Sequence, residues 1–168
     1  NDLANTIGNL LNRTSSMARK WFDDSVPPHT VESHINHPLA LKAQATIETV
    51  MRCMPELGFK AASESILQLA IAANGHLNDT APWSRMKQQG EEQSVANDLY
   101  VVLESTRIVG LLLAPLLPDL SSRILNQLNC SLDPEHWLDQ LHWGGLTSGT
   151  ELPKPEPVMA RLELDDDL

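Results

Sequence analysis

The longest helical pattern in the sequence runs from about Glu91 to Leu113, and this pattern constrains the fold more than any other feature. Its apolar residues recur at helical spacing, and they are Val95, Leu99, Val102, Val109 and Leu113. That spacing places them on one face of an α-helix, which must be buried against other elements. No stretch of the chain shows the alternation of apolar and polar residues that is typical of a strand. The sequence therefore predicts an all-α protein.

Prolines and glycines indicate where the other helices begin and end. The predicted helical segments are 2–22, 39–57, 60–77 and 118–128, with short helical turns that open at Pro82 and at Asp133. Asp79 or Thr80 is expected to cap the turn at Pro82. The predicted buried stripe of the first segment is Leu3, Ile7, Leu10, Thr14, Met17 and Trp21.

The composition changes at residue 144, which predicts a domain boundary. Residues 1–143 are expected to form a helical bundle. Residues 144–168 are rich in Gly and Pro and then acidic. Such a tail is expected to pack back on the bundle or to be partly disordered.

The net charge of −10 argues against nucleic-acid binding when it is taken alone, because phosphate contacts need Lys and Arg. The charge is unevenly distributed, however. Residues 13–20 contain Arg13, Arg19 and Lys20 without an acid, and residues 83–87 contain Arg85 and Lys87 without an acid. These two windows keep a nucleic-acid partner open.

Cysteine usage and hydropathy predict a cytoplasmic chain without a membrane segment. Cys53 and Cys130 lie far apart with no CxxC motif, which predicts free thiols in a reducing compartment. The apolar run LLLAPLLP is short and contains proline, so it is not expected to span a bilayer. The first residue is Asn rather than Met, so we expect the chain to be a piece of a longer protein.

No self-contained active site is predicted. His29, His34 and His37 are close enough in sequence to suggest zinc ligands, but no Cys or further His completes a recognisable spacing. We therefore expect solvent-exposed loop histidines. Neither a GxSxG motif nor a glycine-rich phosphate loop is present. We predict no catalytic residue and no metal site.

The polar side of the first helix is a candidate binding surface. Asn9, Arg13, Ser16 and Lys20 lie on one stripe there, with Asn12 beside them. Such a stripe is either a solvated helix surface or a set of hydrogen-bond donors for base edges and phosphates.

Trp83 is the second candidate. It is either a core anchor at a helix start or an exposed platform on which an unpaired base stacks. Pro82 precedes it, and Arg85 and Lys87 follow it as nearby cations. The residues alone leave both interpretations open.

Several stretches together resemble the C-terminal helical domain of methionyl-tRNA synthetases. They are LANTIGNLLNRT, LNDTAPWSRMK, LLLAPLLPDLSSRI, WGGL and PEPVMARLE, which occur in the family's order and cover nearly the whole chain. The N-x-x-x-R spacing of the first stretch is weak alone, whereas its occurrence together with D-x-A-P-W and the tail is specific. The resemblance implies an all-α anticodon-binding helix bundle of class I aminoacyl-tRNA synthetases with an extended C-terminal tail.

The resemblance also implies roles for individual residues. In that family the bundle reads the CAU anticodon of methionine tRNAs. The family's first-helix asparagine and arginine match Asn9 and Arg13, which are expected to hydrogen-bond anticodon bases. Its tryptophan after Ala-Pro matches Trp83, which is expected to stack on one base. The residues expected to support these contacts or to bind phosphates are Asn12, Ser16, Lys20, Pro82, Arg85 and Lys87.

The family's reaction activates methionine with ATP and Mg and transfers it to the tRNA. It takes place in a nucleotide-binding domain whose HIGH-type and KMSKS-type motifs are absent from these residues. The resemblance thus implies a fragment of a methionine–tRNA ligase that holds no cofactor and is inactive alone. Its implied partners are methionine tRNAs and the missing catalytic domain.

Two alternatives stay open from the sequence. One is a helical protein-interaction module in which the same polar stripe contacts a partner protein. The other is the anticodon-binding domain of another class I synthetase, which would share the architecture but have a different specificity.

Overall fold

The computed structural model describes residues 2–158, which form a bundle of α-helices. The helices are α1 (Asp2–Trp21), α2 (Val31–His34), α3 (Pro38–Cys53), α4 (Phe59–Thr80), α5 (Pro82–Arg85), α6 (Glu92–Leu113), α7 (Pro118–Gln127) and α8 (Trp137–Gln140). A 3₁₀ turn, Met54–Glu56, follows α3. Within residues 2–158 the only β-type pairing is an isolated antiparallel bridge between Ser25 and Glu151. The prediction of an all-α fold is confirmed.

Helix α6 is the centre of the bundle. It packs against α1, α3, α4 and α7, and every residue from 99 to 113 is buried. This stretch of α6 is thus enclosed on all sides, as expected for a predominantly apolar helix at the centre of a bundle. The bounds predicted from the sequence agree within one residue at each end, because prolines follow α6 closely and Pro118 begins α7 at its first position.

Helix α4 is longer than predicted, and this changes how the following turn begins. Asp79 and Thr80 belong to its last turn, where the Thr80 hydroxyl donates to the His76 carbonyl at 2.8 Å. The helix ends at Ala81, which adopts the left-handed conformation with φ 42° and ψ 61°. The predicted cap at Asp79 or Thr80 is therefore wrong. Neither side chain caps α5, because both are still inside α4.

Helix α1 is buried on a broader face than the predicted stripe. Its buried residues are Ala4, Ile7, Leu10, Leu11, Thr14, Ser15 and Ala18, whereas Leu3, Met17 and Trp21 are only partly buried. The short side chains on this face let α1 lie close to both α4 and α6. Simple spacing of large apolar residues did not indicate this face, because alanine and serine carry little hydrophobic signal.

The three early histidines are not a solvent-exposed loop, so that prediction is wrong. His34 ends α2 and is only 3% exposed, and His29 stacks on Tyr100 with the ring centroids 3.5 Å apart. The indole N–H of Trp143 donates to His34 Nδ1 at 3.0 Å. Burial, aided by the neighbouring His29, lowers the pKa of His34. The partners come from the far end of the chain, which local sequence could not indicate.

A buried ion pair on α6 fixes the polypeptide after α8. Glu104 is completely buried, and its Oε1 accepts from Arg107 Nη2 at 2.7 Å. The same carboxylate accepts from the backbone N–H groups of Gly144, Gly145 and Leu146 at 2.8 to 3.1 Å. Arg107 also donates to the carbonyl oxygens of Gln140 and His142. The ion pair therefore hydrogen-bonds two carbonyl oxygens and three N–H groups of the backbone between residues 140 and 146.

Beyond this loop the chain runs back across the bundle as far as residue 158. The Val26 N–H donates to the Thr150 carbonyl at 2.8 Å, and the Leu152 N–H donates to the Asp24 carbonyl at 2.7 Å. Val158 is 3% exposed and lies against α1 at Gly8, where an added Cβ would approach Val158 Cγ2 to 3.1 Å. Residues 159–168 of the predicted tail, and Asn1, lie outside the described residues.

The cysteines and the helix lengths complete the description of residues 2–158. Cys53 and Cys130 are both free thiols. None of the helices in this range combines the length and the apolar character that crossing a bilayer requires.

Glu104→Gln should destabilise the protein by about 3–5 kcal/mol, because it leaves the buried Arg107 charge without its carboxylate partner. The amide would also turn donor hydrogens toward a guanidinium and three backbone N–H groups. Urea unfolding followed by circular dichroism measures the change.

Glu64→Gln is the matched control, because it makes the same chemical change in an exposed pair. Glu64 lies 3.9 Å from Lys60 with 64% of its side chain exposed, so its loss should cost less than about 0.5 kcal/mol. Equal effects of the two substitutions would show that the buried ion pair does not hold this fold together.

Candidate nucleic-acid interface

The polar side of α1 and the adjoining part of α4 form the walls of an open groove of about 380 Å³. The residues that line it are Asn5, Thr6, Asn9, Asn12, Arg13 and Asn74. The groove exists because α1 packs directly on α4, so the solvent-facing edges of the two helices adjoin. Asparagine amides offer donors and acceptors without net charge, and this combination suits the edges of nucleobases.

Arg13 connects this groove to Trp83. Its Nη2 donates to the Asn78 side-chain oxygen at 3.1 Å, and its Cζ lies 5.3 Å from the centroid of the Trp83 ring. This distance is within the range of a cation–π contact. Two residues that the sequence analysis selected separately, Arg13 and Trp83, are therefore neighbours.

Trp83 is displayed by the turn that begins at Ala81. The left-handed backbone of Ala81 ends α4 and lets Pro82 begin the single turn of α5. Pro82 is buried there, whereas Trp83 is 39% exposed. The residue that anchors this helix start in the core is thus Pro82, and the indole keeps a substantial solvent-facing surface.

Arg85 has surroundings that the sequence did not indicate. Its Nε and Nη2 donate to Glu91 Oε2 at 3.2 and 3.0 Å, and its other N–H groups meet Asp98, Ser94 and the Thr80 carbonyl. The second oxygen of Asp98 lies 3.1 Å from His76 Nε2. Although residues 83–87 contain no acid, two acids from outside this window therefore pair with Arg85. They are Asp98 of α6 and Glu91 of the loop before it.

The electrostatics of this cluster keep Asp98 ionised. Its burial alone would raise the pKa of Asp98, but hydrogen bonds from His76 and Arg85 outweigh burial and hold that pKa below its usual value. The hydrogen bond to Asp98 likewise raises the pKa of Arg85. In this charged network, the side chains of His76, Arg85, Glu91 and Asp98 provide one another's hydrogen-bond partners.

The remaining predicted residues lie at the margins. Ser16 donates to the Asn12 side chain at 3.4 Å, and Lys20 lies two helical turns beyond Arg13, about 10 Å along the axis. Lys20 and Lys87 are exposed, and neither has an ion-pair partner among the described residues. Arg19 instead pairs with Asp24 at 2.9 Å.

The residues that sequence reasoning left out of the candidate site are Asn5, Thr6, Asn74 and Asn78. Asn5 precedes Asn9 by four positions, and Asn74 precedes Asn78 by four. Each pair therefore lies on one helix face. That repeat was a usable signal, but only the packing of α1 on α4 reveals that the two pairs adjoin.

Comparison with known proteins identifies the class of protein to which this fold belongs. The family model described as the anticodon binding domain of methionyl tRNA ligase matches residues 26–167. The chain therefore belongs to the anticodon-binding domains of methionyl-tRNA ligases.

Individual relatives agree with this family. Methionine–tRNA ligase of Thermosynechococcus vestitus is 40% identical over 97% of this chain and 32% of the relative. A chloroplastic/mitochondrial methionine–tRNA ligase of Arabidopsis thaliana is 34% identical over 97% of this chain and 27% of the relative. The chain spans about a third or less of the length of these curated relatives.

A solved structure agrees as well. Mycobacterium tuberculosis methionyl-tRNA synthetase in complex with methionyl-adenylate matches with a TM-score of 0.84 and 31% sequence identity. The match covers 96% of this chain and 32% of that chain. The family assignment sets aside the alternative of another class I synthetase.

Trp83→Ala should lower the free energy of unfolding by about 1–2 kcal/mol, because the residue is already 39% exposed and its loss leaves no enclosed cavity. Urea unfolding followed by circular dichroism gives the value.

Trp137→Ala is the matched control. Trp137 packs against the core and its indole N–H donates to the Leu111 carbonyl at 2.8 Å, so its removal should cost about 2 kcal/mol or more. If Trp83→Ala destabilises as much as Trp137→Ala, Trp83 is an anchor of the fold and not a displayed side chain.

Proposed function

We propose that this chain binds the anticodon loop of methionine tRNAs and reads the sequence CAU. The observation that carries the proposal is the contact of Arg13 with Trp83 beside the asparagine-lined groove. A flat aromatic surface next to fixed hydrogen-bond donors is how proteins hold and distinguish unpaired bases. The family assignment supports the same conclusion.

Each residue of the site has a proposed role. Asn9 and Arg13 hydrogen-bond base edges, and Trp83 stacks on one base of the loop. Asn12 and Ser16 extend the polar surface along α1. Pro82 fixes the position of Trp83 on the bundle, because Pro82 is the buried residue of that turn.

The nonspecific share of binding is assigned to the exposed cations. Lys20 and Lys87 are both free to meet phosphates, since no carboxylate pairs with them in the described structure. A phosphate contact adds affinity that falls with salt and is the same for every loop sequence.

The groove favours this function over a protein-interaction module. Specific protein interfaces are centred on a desolvated apolar or aromatic core. The lining here consists of asparagine, threonine and arginine. Such a surface suits the polar edges of bases better than the apolar centre of a protein partner.

The activity of the complete ligase is a separate proposal, because the chain spans about a third of its relatives. We propose that the complete protein attaches methionine to its tRNA with ATP and Mg, and that its catalytic domain is a partner of this chain in the cytoplasm. Among residues 2–158 no three His, Cys, Asp or Glu side chains are grouped as a metal ion would require.

Arg13→Ala should weaken binding of a CAU stem-loop by about 1–3 kcal/mol, because a well-placed base contact is worth that much discrimination. It should also reduce the preference for CAU over a stem-loop with a changed anticodon. Fluorescence titration of both RNAs at fixed salt measures affinity and preference together.

Two variants make the Arg13 result specific. Arg13→Lys keeps the charge but not the planar fork, so it should lose the preference for CAU while it retains salt-dependent binding. Lys20→Ala should weaken both RNAs by the same ratio. If Arg13→Ala also weakens both RNAs by one ratio, Arg13 does not read a base.

The chain alone should form no methionyl-tRNA, because the nucleotide-binding motifs of the family are absent from its sequence. Incubation with methionine, ATP, Mg and methionine tRNA, followed by acid-gel separation of charged tRNA, measures this. A complete methionine–tRNA ligase serves as the positive control, and charging by the purified chain would contradict the proposal.

A further inference from the structure

The helix that displays Trp83 is too short to fix its own orientation. Helix α5 consists of Pro82–Arg85, a single turn, and isolated helices of that length are not stable in water. At its beginning the backbone passes through the left-handed conformation of Ala81. The direction of the indole must therefore be set by contacts from outside α5.

Besides the burial of Pro82 and the contact of Arg13 with the indole, the polar contacts of this turn converge on Arg85, the last residue of α5. A guanidinium has five N–H donors, and each of the five has a partner here. The partners are Glu91, Ser94, Asp98 and the carbonyl oxygen of Thr80. Arg85 thus joins the displayed turn to α4, to α6 and to the loop before α6.

Asp98 extends this connection to α4. One carboxylate oxygen accepts from Arg85 and the other faces His76 at 3.1 Å. The His76 ring in turn meets the edge of His37, the N-cap of α3, at a centroid distance of 4.7 Å. Asp98 is only 16% exposed, so its charge depends on these partners.

This geometry leaves Arg85 without a donor for RNA. A phosphate contact would have to displace one of these partners and would bring a second anion beside the carboxylates of Asp98 and Glu91. Lys87, two positions further, is exposed and forms no ion pair with any of the described residues.

We propose that Arg85 and Asp98 are positioning residues, whose ion pair holds the single-turn helix so that the Trp83 indole faces an incoming base. Arg85 acts through Trp83 and not through a phosphate contact. This inference rests on the proposed function, and it replaces the phosphate role predicted for Arg85 from the sequence.

A double-mutant cycle with Trp83 tests the inference. Arg85→Ala should lower the affinity for a CAU stem-loop about fivefold or more in the wild-type background and leave it unchanged in the Trp83→Ala background, because coupled residues are non-additive. Asp98→Asn, which keeps the side-chain shape, should behave in the same way. Lys87→Ala removes one positive charge from the same segment and serves as the control, which should act equally in both backgrounds.

A second measurement does not depend on RNA. With 5-fluorotryptophan incorporated, the fluorine resonance of residue 83 can be assigned by its absence in Trp83→Phe. That resonance should shift or broaden in Arg85→Ala and in Asp98→Asn, and should stay unchanged in Lys87→Ala.

The outcomes separate this inference from the proposed function. If Trp83→Ala leaves RNA binding intact, the platform role fails, and the fluorine spectra alone decide whether Arg85 and Asp98 position the indole. If Trp83→Ala weakens binding but Arg85→Ala acts equally in both backgrounds, with a salt slope reduced by about one, Arg85 contacts a phosphate and the inference is overturned. Unchanged affinity and unchanged fluorine spectra in both Arg85→Ala and Asp98→Asn would overturn it as well.

Discussion

The buried pair of Glu104 and Arg107 is the interaction on which the rest of the structure depends. A carboxylate with no exposed surface is stable only if its lone pairs are satisfied, and here a guanidinium and three backbone N–H groups satisfy them. The ion pair thereby draws residues 144–146 onto α6. Gly145 permits this approach, because a Cβ at that position would lie 2.6 Å from the Arg107 guanidinium.

The charge distribution explains how an acidic chain can carry the proposed site for RNA. Arg19, Arg85 and Arg107 each pair with a carboxylate, whereas Arg13 faces the groove with an uncharged asparagine as its partner. The net charge of −10 opposes indiscriminate attraction of phosphates. Recognition must then depend on a few directed contacts, and unfavourable surroundings for wrong partners increase specificity.

The sequence was sufficient for the parts of the fold that local chemistry determines. The bounds of α6 and α7 follow from apolar spacing and from Pro118, and the candidate residues Asn9, Arg13 and Trp83 follow from a family resemblance. The burial of His34, the left-handed Ala81 and the network around Arg85 could not be predicted in this way. For His34 and Arg85 the deciding partner lies in another element of the chain, as Trp143 does for His34 and Asp98 does for Arg85. A charged side chain has the same appearance in a sequence whether it faces water or a carboxylate.

The docking of Val158 beside Gly8 has a consequence for the order of folding. These residues lie near opposite ends of the described chain, so their contact closes a loop that contains nearly all of the described residues. Helix α1 precedes the other helices of this domain in the sequence, yet the contact at Gly8 can form only after residue 158 has been made. Loop closure of this kind comes late, because its entropic cost must be met before the contact stabilises anything. Within this domain, the helix that bears Asn9 and Arg13 is therefore made before the other helices and is among the last to become fully packed.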